Sequence, residues 1–168
     1  MLRLTETYPE GEGRSCECDK ERQLLITVRA RDARGRVQYL KALIDTGAEA
    51  NLVREKLLAE GALKKSDNPL RLITADGTPM SGGKREAGLT LCFSTNKPDY
   101  RGQFKWCTLG KFYEAKIQVD LIISYPWLQK KKLGVFPHLE GLVALEENEP
   151  ITILRSLEPP LHINHHHI

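Results

Sequence analysis

Apolar and polar residues alternate along this chain in short runs of period two, with turn residues between the runs. Leu24, Ile26 and Val28 alternate with Leu25, Thr27 and Arg29, which predicts a half-buried strand. Asp32-Ala33-Arg34-Gly35 supplies a turn, and Val37, Tyr39 and Ala42–Ile44 the returning strand, so the pair is a hairpin ending at Asp45. Asn51-Leu52-Val53 predicts a short strand, and Arg54–Gly61, rich in helix formers and closed by glycine, one short helix. Leu70–Ile73 opens another strand, Asp76-Gly77 is a strong turn signal, and Gly82-Gly83 is expected to loosen the returning arm. Leu89, Leu91 and Phe93 then alternate, Ser94–Gly102 is a polar loop, and Phe104, Trp106 and Thr108 alternate again before Lys111–Ala115 turns the chain towards Ile117. Val119–Ile123 is a buried strand, Pro126 marks a helix start, and Leu142–Leu145 is expected to be the last ordered strand.

This pattern predicts an all-β domain over residues 21–146. A polar leader, 1–20, precedes it, and a disordered tail, 147–168, follows, with an acidic run at Glu146–Glu149 and Pro159-Pro160 arguing against regular structure. With 168 residues, 40% hydrophobic and 28% charged, the chain is long enough to bury one core. Its longest apolar stretch is strand-sized, so no membrane-spanning helix is expected, and no secretory signal is read at the N-terminus. The net charge of +3 is mild. Basic clusters at Arg29–Arg36 and Lys130–Lys132 lack interleaved aromatics; they read as a solvated hairpin and a helix end, and no nucleic-acid partner is expected. Four cysteines (Cys16, Cys18, Cys92, Cys107) make no framework or zinc-ligand spacing, so reduced thiols in an intracellular setting are expected. His162 and His165–His167 read as an exposed end rather than a metal site.

The chemistry concentrates in Ala42-Leu43-Ile44-Asp45-Thr46-Gly47-Ala48-Glu49-Ala50-Asn51-Leu52-Val53. Leu43-Ile44 favours burial, and a carboxylate that follows it inwards needs donors, a charged partner or a second carboxylate with which to share a proton. Thr46 offers a hydroxyl, and Gly47 lets backbone N–H groups approach without a Cβ in the way. Asp-Thr/Ser-Gly occurs by chance in roughly one chain in fifteen of this size, and its plain meaning is a β-turn. The apolar flanks, Ala48 and the downstream strand-helix segment distinguish it.

With these features the stretch resembles the active-site loop of the retropepsins, the retroviral and long-terminal-repeat retrotransposon aspartic proteases. Val119-Asp120-Leu121-Ile122-Ile123-Ser124-Tyr125-Pro126-Trp127-Leu128 resembles their second signature, aliphatics and a glycine followed by the helix behind the active-site loop. Ser124 departs from it, standing where the family has glycine, so close backbone packing must take a hydroxymethyl group. The resemblance covers about Leu24–Leu145 and implies a closed, barrel-like acid-protease fold with one or two short helices. It also implies an intracellular aspartic endopeptidase that processes a gag-pol polyprotein without metal or organic cofactor. Asp45 would be catalytic, Thr46 would brace the paired loops, Gly47 and Ala48 would line the cleft, and Glu49 would help bind substrate backbone or support the dimer. The hairpin carrying Asp76, Gly77 and Thr78 is either an ordinary exposed hairpin or, as the resemblance implies, a flap over substrate.

Carboxylate-driven hydrolysis needs two acids, and this chain has one such triplet. A twofold homodimer that sets Asp45 beside its symmetry mate supplies the second. That arrangement requires the Asp45 carboxylate to reach a surface on which a second copy docks. The alternative from another class is a retropepsin-like domain without activity, serving dimerisation or peptide binding.

Overall fold

The computed structural model describes residues 23–145 and 151–161, and among these it has twelve strands and one short α-helix. The leader with Cys16 and Cys18, the acidic run and the histidine tail lie outside the described residues. Strands β1 (Leu24–Arg31) and β2 (Val37–Asp45) form the expected antiparallel hairpin, Leu24 opposite Ile44 and Arg31 opposite Val37. At its turn Asp32 Oδ1 accepts the N–H groups of Arg34 and Arg36. The later strands are β3 (Leu52–Arg54), β4 (Lys64–Lys65), β5 (Leu72–Ile73), β6 (Pro79–Met80), β7 (Gly82–Thr95), β8 (Lys105–Ala115) and β9 (Leu121–Ser124). Helix α1 (Tyr125–Lys130) then leads to β10 (Leu133–Phe136), β11 (Gly141–Ala144) and β12 (Thr152–Arg155).

Ten strands pair in one mixed sheet, in which β1, β2, β9, β3, β8 and β7 follow one another and β7 returns to β1, a partly closed ring. The fold is all-β in this sense. Strand β9 enters parallel to β2 and antiparallel to β3, between two strands that are neighbours in sequence. Both faces of this pair are covered. Ala42, Ile44, Leu121 and Ile123 point into the main core with Phe93 and Phe112, while Leu43 and Ile122 join a second cluster with Ala48, Leu52 and Leu72. Burial on both faces is why β2 ends and β9 runs as continuous aliphatics instead of alternating. At the end of the pair remote from Asp45, Asp120 accepts from Lys41 N (2.9 Å) and from the Arg54 guanidinium (2.6 Å), which fixes the order β2, β9, β3.

Several expectations need correction. No α-helix forms over Arg54–Gly61: Arg54 N donates to Asp120 O and Glu55 N to Ala115 O, which ties this backbone to the sheet. Lys56 then takes a positive φ of 65°, and a single 3-10 turn follows at Glu60–Ala62. Lys111–Ala115 does not turn but completes β8, burying Phe112 and Ala115. Nor is β11 the last strand. Thr152–Arg155, assigned to a disordered tail, pairs with β11 and with Thr95–Ser94 of β7, because Thr152 and Leu154 alternate into the core. Gly82-Gly83 fixes the hairpin instead of loosening it. Both have positive φ, and a Cβ would stand 2.4 Å from Glu114 O at the first and 2.2 Å from Leu70 O at the second.

The expectation of reduced thiols fails for Cys92 and Cys107. They face each other across β7 and β8, with Cα atoms 4.0 Å apart, and form a disulfide. Spacing alone does not reveal this pairing, since the hairpin register sets it. Among the described residues no helix is long and apolar enough to cross a membrane. The crosslink spans 15 residues, for which loop-closure entropy gives about 3 kcal/mol. Cys92→Ser/Cys107→Ser is expected to lose stability of that order in urea titrations, and a non-reduced digest is expected to join the two cysteine peptides.

Candidate active site

Asp45 is the last residue of β2, opposite Ser124 on β9, where the sheet hands over to a tight loop and to α1. Gly47 N donates to Asp45 Oδ1 at 2.9 Å, and Ala48 N to Asp45 O at 3.0 Å. The loop is therefore donor-rich, as a carboxylate leaving water requires. Tyr125 N, at the start of α1, donates to Ala48 O at 3.2 Å, so the helix is tied directly to the back of the loop.

Beneath the loop sits a residue that sequence reasoning missed. Asn51 Oδ1 accepts both the backbone N–H of Ser124 (2.8 Å) and its hydroxyl (2.9 Å), and all three groups are buried. Asn51 O also accepts from Tyr113 N on β8 at 2.9 Å. One side chain thus links the end of the Asp45 loop to β9, and its backbone links the loop to β8. The available signal was a lone carboxamide between Ala50 and Leu52, in a run otherwise destined for burial.

The remaining expected site residues divide. Thr46 and Glu49 are exposed and Gly47 is half-buried. Ala48 was expected to line a cleft; its methyl keeps 1% of its surface and packs with Leu43, Leu52 and Leu72, so in the single chain it belongs to the core. Asp45 itself keeps only 7% of its surface. That is more enclosed than an acid waiting at an open docking face would be.

Asp76, Gly77 and Thr78 lie apart from this loop, at the exposed tip of the β5–β6 hairpin, a small two-stranded sheet of its own. Thr74 N donates to Thr78 O and Gly77 N to Thr74 O, each at 2.9 Å, while Asp76 Oδ1 accepts from Thr74 Oγ1 and from Thr78 N. The hairpin's base carries Leu72 and Met80 into the same apolar cluster as Ala48, and that cluster connects the two loops. Among the described residues no three of His, Cys, Asp and Glu converge as a metal site. No protein-family model matches the chain, and no curated protein matches it.

Two outcomes follow from this geometry. Asn51→Ala strands the buried Ser124 N–H and is expected to cost about 1–3 kcal/mol in urea denaturation, more than Ser124→Ala, which keeps that bond. Equal costs for the two would remove the bridging role of Asn51. The hydrogen bond from the Thr74 hydroxyl, then those from Thr78, lower the Asp76 carboxyl from 3.8 to about 2. Because the folded value lies below the ordinary one, the ionised carboxylate supports the turn above pH 3.8, and that support is lost as pH falls towards 2. A carboxyl NMR titration is expected to place the Asp76 midpoint near the lower value, and Thr74→Ala to raise it.

Proposed function

We propose that the chain is an aspartic endopeptidase that works as a homodimer, with one Asp45 from each protomer, on extended segments of a retroelement gag-pol polyprotein. The observation that carries this reading is the seating of Asp45. It ends a strand buried on both faces, Gly47 N–H points at its carboxylate, and the loop is tied at Ala48 O to the first residue of the following helix. The retropepsin-like signatures at Asp45–Gly47 and Val119–Leu128 are thus neighbours in space. Two carboxylates brought within about 3 Å cannot both ionise, so they hold one proton between them and titrate as a unit. The ionised member takes a proton from the attacking water, and the protonated one donates to the carbonyl oxygen of the scissile bond. Thr46, exposed beside the acid, would brace the two loops across the axis. Substrate would lie as an added strand between Gly47 and Glu49 on one side and the hairpin tip at Asp76, Gly77 and Thr78 on the other. Ser124 raises no steric objection, since its hydroxyl is taken up by Asn51.

The enclosure of Asp45 favours a second reading, a domain of the same build that pairs or binds peptide without cutting it. The two differ in what a verified dimer does. With a mixed peptide library at mildly acidic pH, the protease reading expects cleavage that Asp45→Asn abolishes and a statine-type inhibitor blocks. It also expects sedimentation to show a dimer. A strict monomer at high concentration, or a dimer that leaves every peptide intact, sinks the protease reading, and the inactive dimer supports the second.

A further inference from the structure

Away from the Asp45 loop and the β5–β6 hairpin, the outer face of β7 and β8 carries an open trough of about 420 Å³ that runs from β4 to the end of α1. Four lysines (Lys64, Lys111, Lys130 and Lys131) line it against a single acid, Glu86, which already faces Lys111 at 3.9 Å. Its floor is bare because position 88 is glycine. Nothing in the fold requires glycine there: its φ is not positive, and a Cβ would meet only Leu109 Cδ1, at 3.8 Å. A glycine inside a strand weakens it relative to alanine, and where folding gives no reason for it, the bare backbone is a place for close approach by another chain.

The trough ends at an unpaired strand edge. Among the described residues β8 pairs with a strand on its outer side only at Tyr113–Ala115, with β3, and Trp127 caps Leu109 O, leaving Lys105–Thr108 without a strand partner there. The parity of its backbone groups is fixed by three bonds. Phe104 O accepts from Thr95 N across the hairpin, whereas Tyr113 N and Leu109 O turn outward, to Asn51 O and Trp127 Nε1. Residues 105, 107, 109 and 111 therefore direct their N–H and C=O groups away from β7. Leu109, 62% exposed, adds an apolar rim.

We infer that this trough and edge form a docking site for an extended peptide segment carrying acidic side chains, which adds to β8 as a strand and sets its carboxylates against Lys130 and Lys131 at the near end of the trough. A strand added to an edge takes its affinity from main-chain bonds and its selectivity from side-chain pockets, and here the pockets are cationic. A single-stranded nucleic acid fits the site less well. Its affinity depends on open aromatic faces, and Trp127, the one aromatic lining residue, is 8% exposed with Lys131 Nζ 5.8 Å over its ring.

Fluorescence anisotropy with the full chain tests this, using a labelled peptide of about six residues, a strand's length, in which Glu and Val alternate. A peptide with Gln for Glu and an oligothymidylate are run beside it. Saturable binding of the acidic peptide that weakens with salt is expected, with a loss of about tenfold in the surface variant K130Q/K131Q. Gly88→Val, whose added methyls fill the trough floor, is expected to lose binding as well. The thermal melt of each variant shows whether it is folded. No saturable binding, equal affinity for the Gln peptide, undiminished affinity in folded K130Q/K131Q, or tighter binding of the oligothymidylate overturns the inference.

Discussion

The structure depends on one insertion: β9 slots between β2 and β3, two strands that follow each other in sequence but never touch as a pair. Because β9 fills the space between them, the connection from Asp45 to Leu52 must arch over the end of an intervening strand, with nothing of its own ladder to hold it. Its polar groups are satisfied by what β9 and α1 present at that end. Ser124 N and Oγ find Asn51, and Tyr125 N finds Ala48 O. Asp45 is thus positioned by a segment nearly eighty residues downstream, since Ser124 pairs with it at the last rung of the parallel register. Remove that rung and the loop keeps its sequence but loses its shape.

The same insertion explains why the acid is so enclosed. A strand covered on both faces delivers its last residue into the protein, and only the loop beyond it turns outward, at Thr46 and Glu49. A carboxylate at that depth is held by donors supplied locally, Gly47 N–H among them. Bringing a second carboxylate against it would desolvate both further, and sharing a proton is the response chemistry allows to that crowding. The catalytic and the binding-only readings therefore share one geometry and divide on whether a partner's loop can reach the small surface that Asp45 keeps.

Local chemistry made Asp45-Thr46-Gly47 and the Ile123–Leu128 strand-to-helix step legible in the sequence. An acid after a double aliphatic, glycine at the donor side and proline at the helix start each state their role within a few residues. The β1–β2 hairpin was legible for the same reason. Features set by distant partners were hidden. Arg54–Gly61 has helical residues, yet Asp120 and Ala115 draw its backbone into the sheet. Thr152–Arg155 sits between an acidic run and two prolines, and only pairing with β11 and β7 makes it a strand. Cys92 meets Cys107 through hairpin register, and Gly82-Gly83, a flexible pair on paper, is held by Glu114 and Leu70 carbonyls that a side chain would strike.

Ser124 shows how a buried hydroxyl is accommodated at the end of a strand. Glycine at such a position leaves room for backbone to approach; serine fills that room with a hydroxyl that must not be stranded, since the site is almost wholly closed to water. The chain meets the demand with Asn51, whose carbonyl oxygen has two lone pairs and takes both donors of the same residue. The Ser124 hydroxyl thereby adds a hydrogen bond across the end of the loop. The two positions act as a unit: serine at 124 is tolerated because an acceptor stands at 51, and the loop carrying Asp45 is held more firmly at its far end than backbone packing alone would hold it.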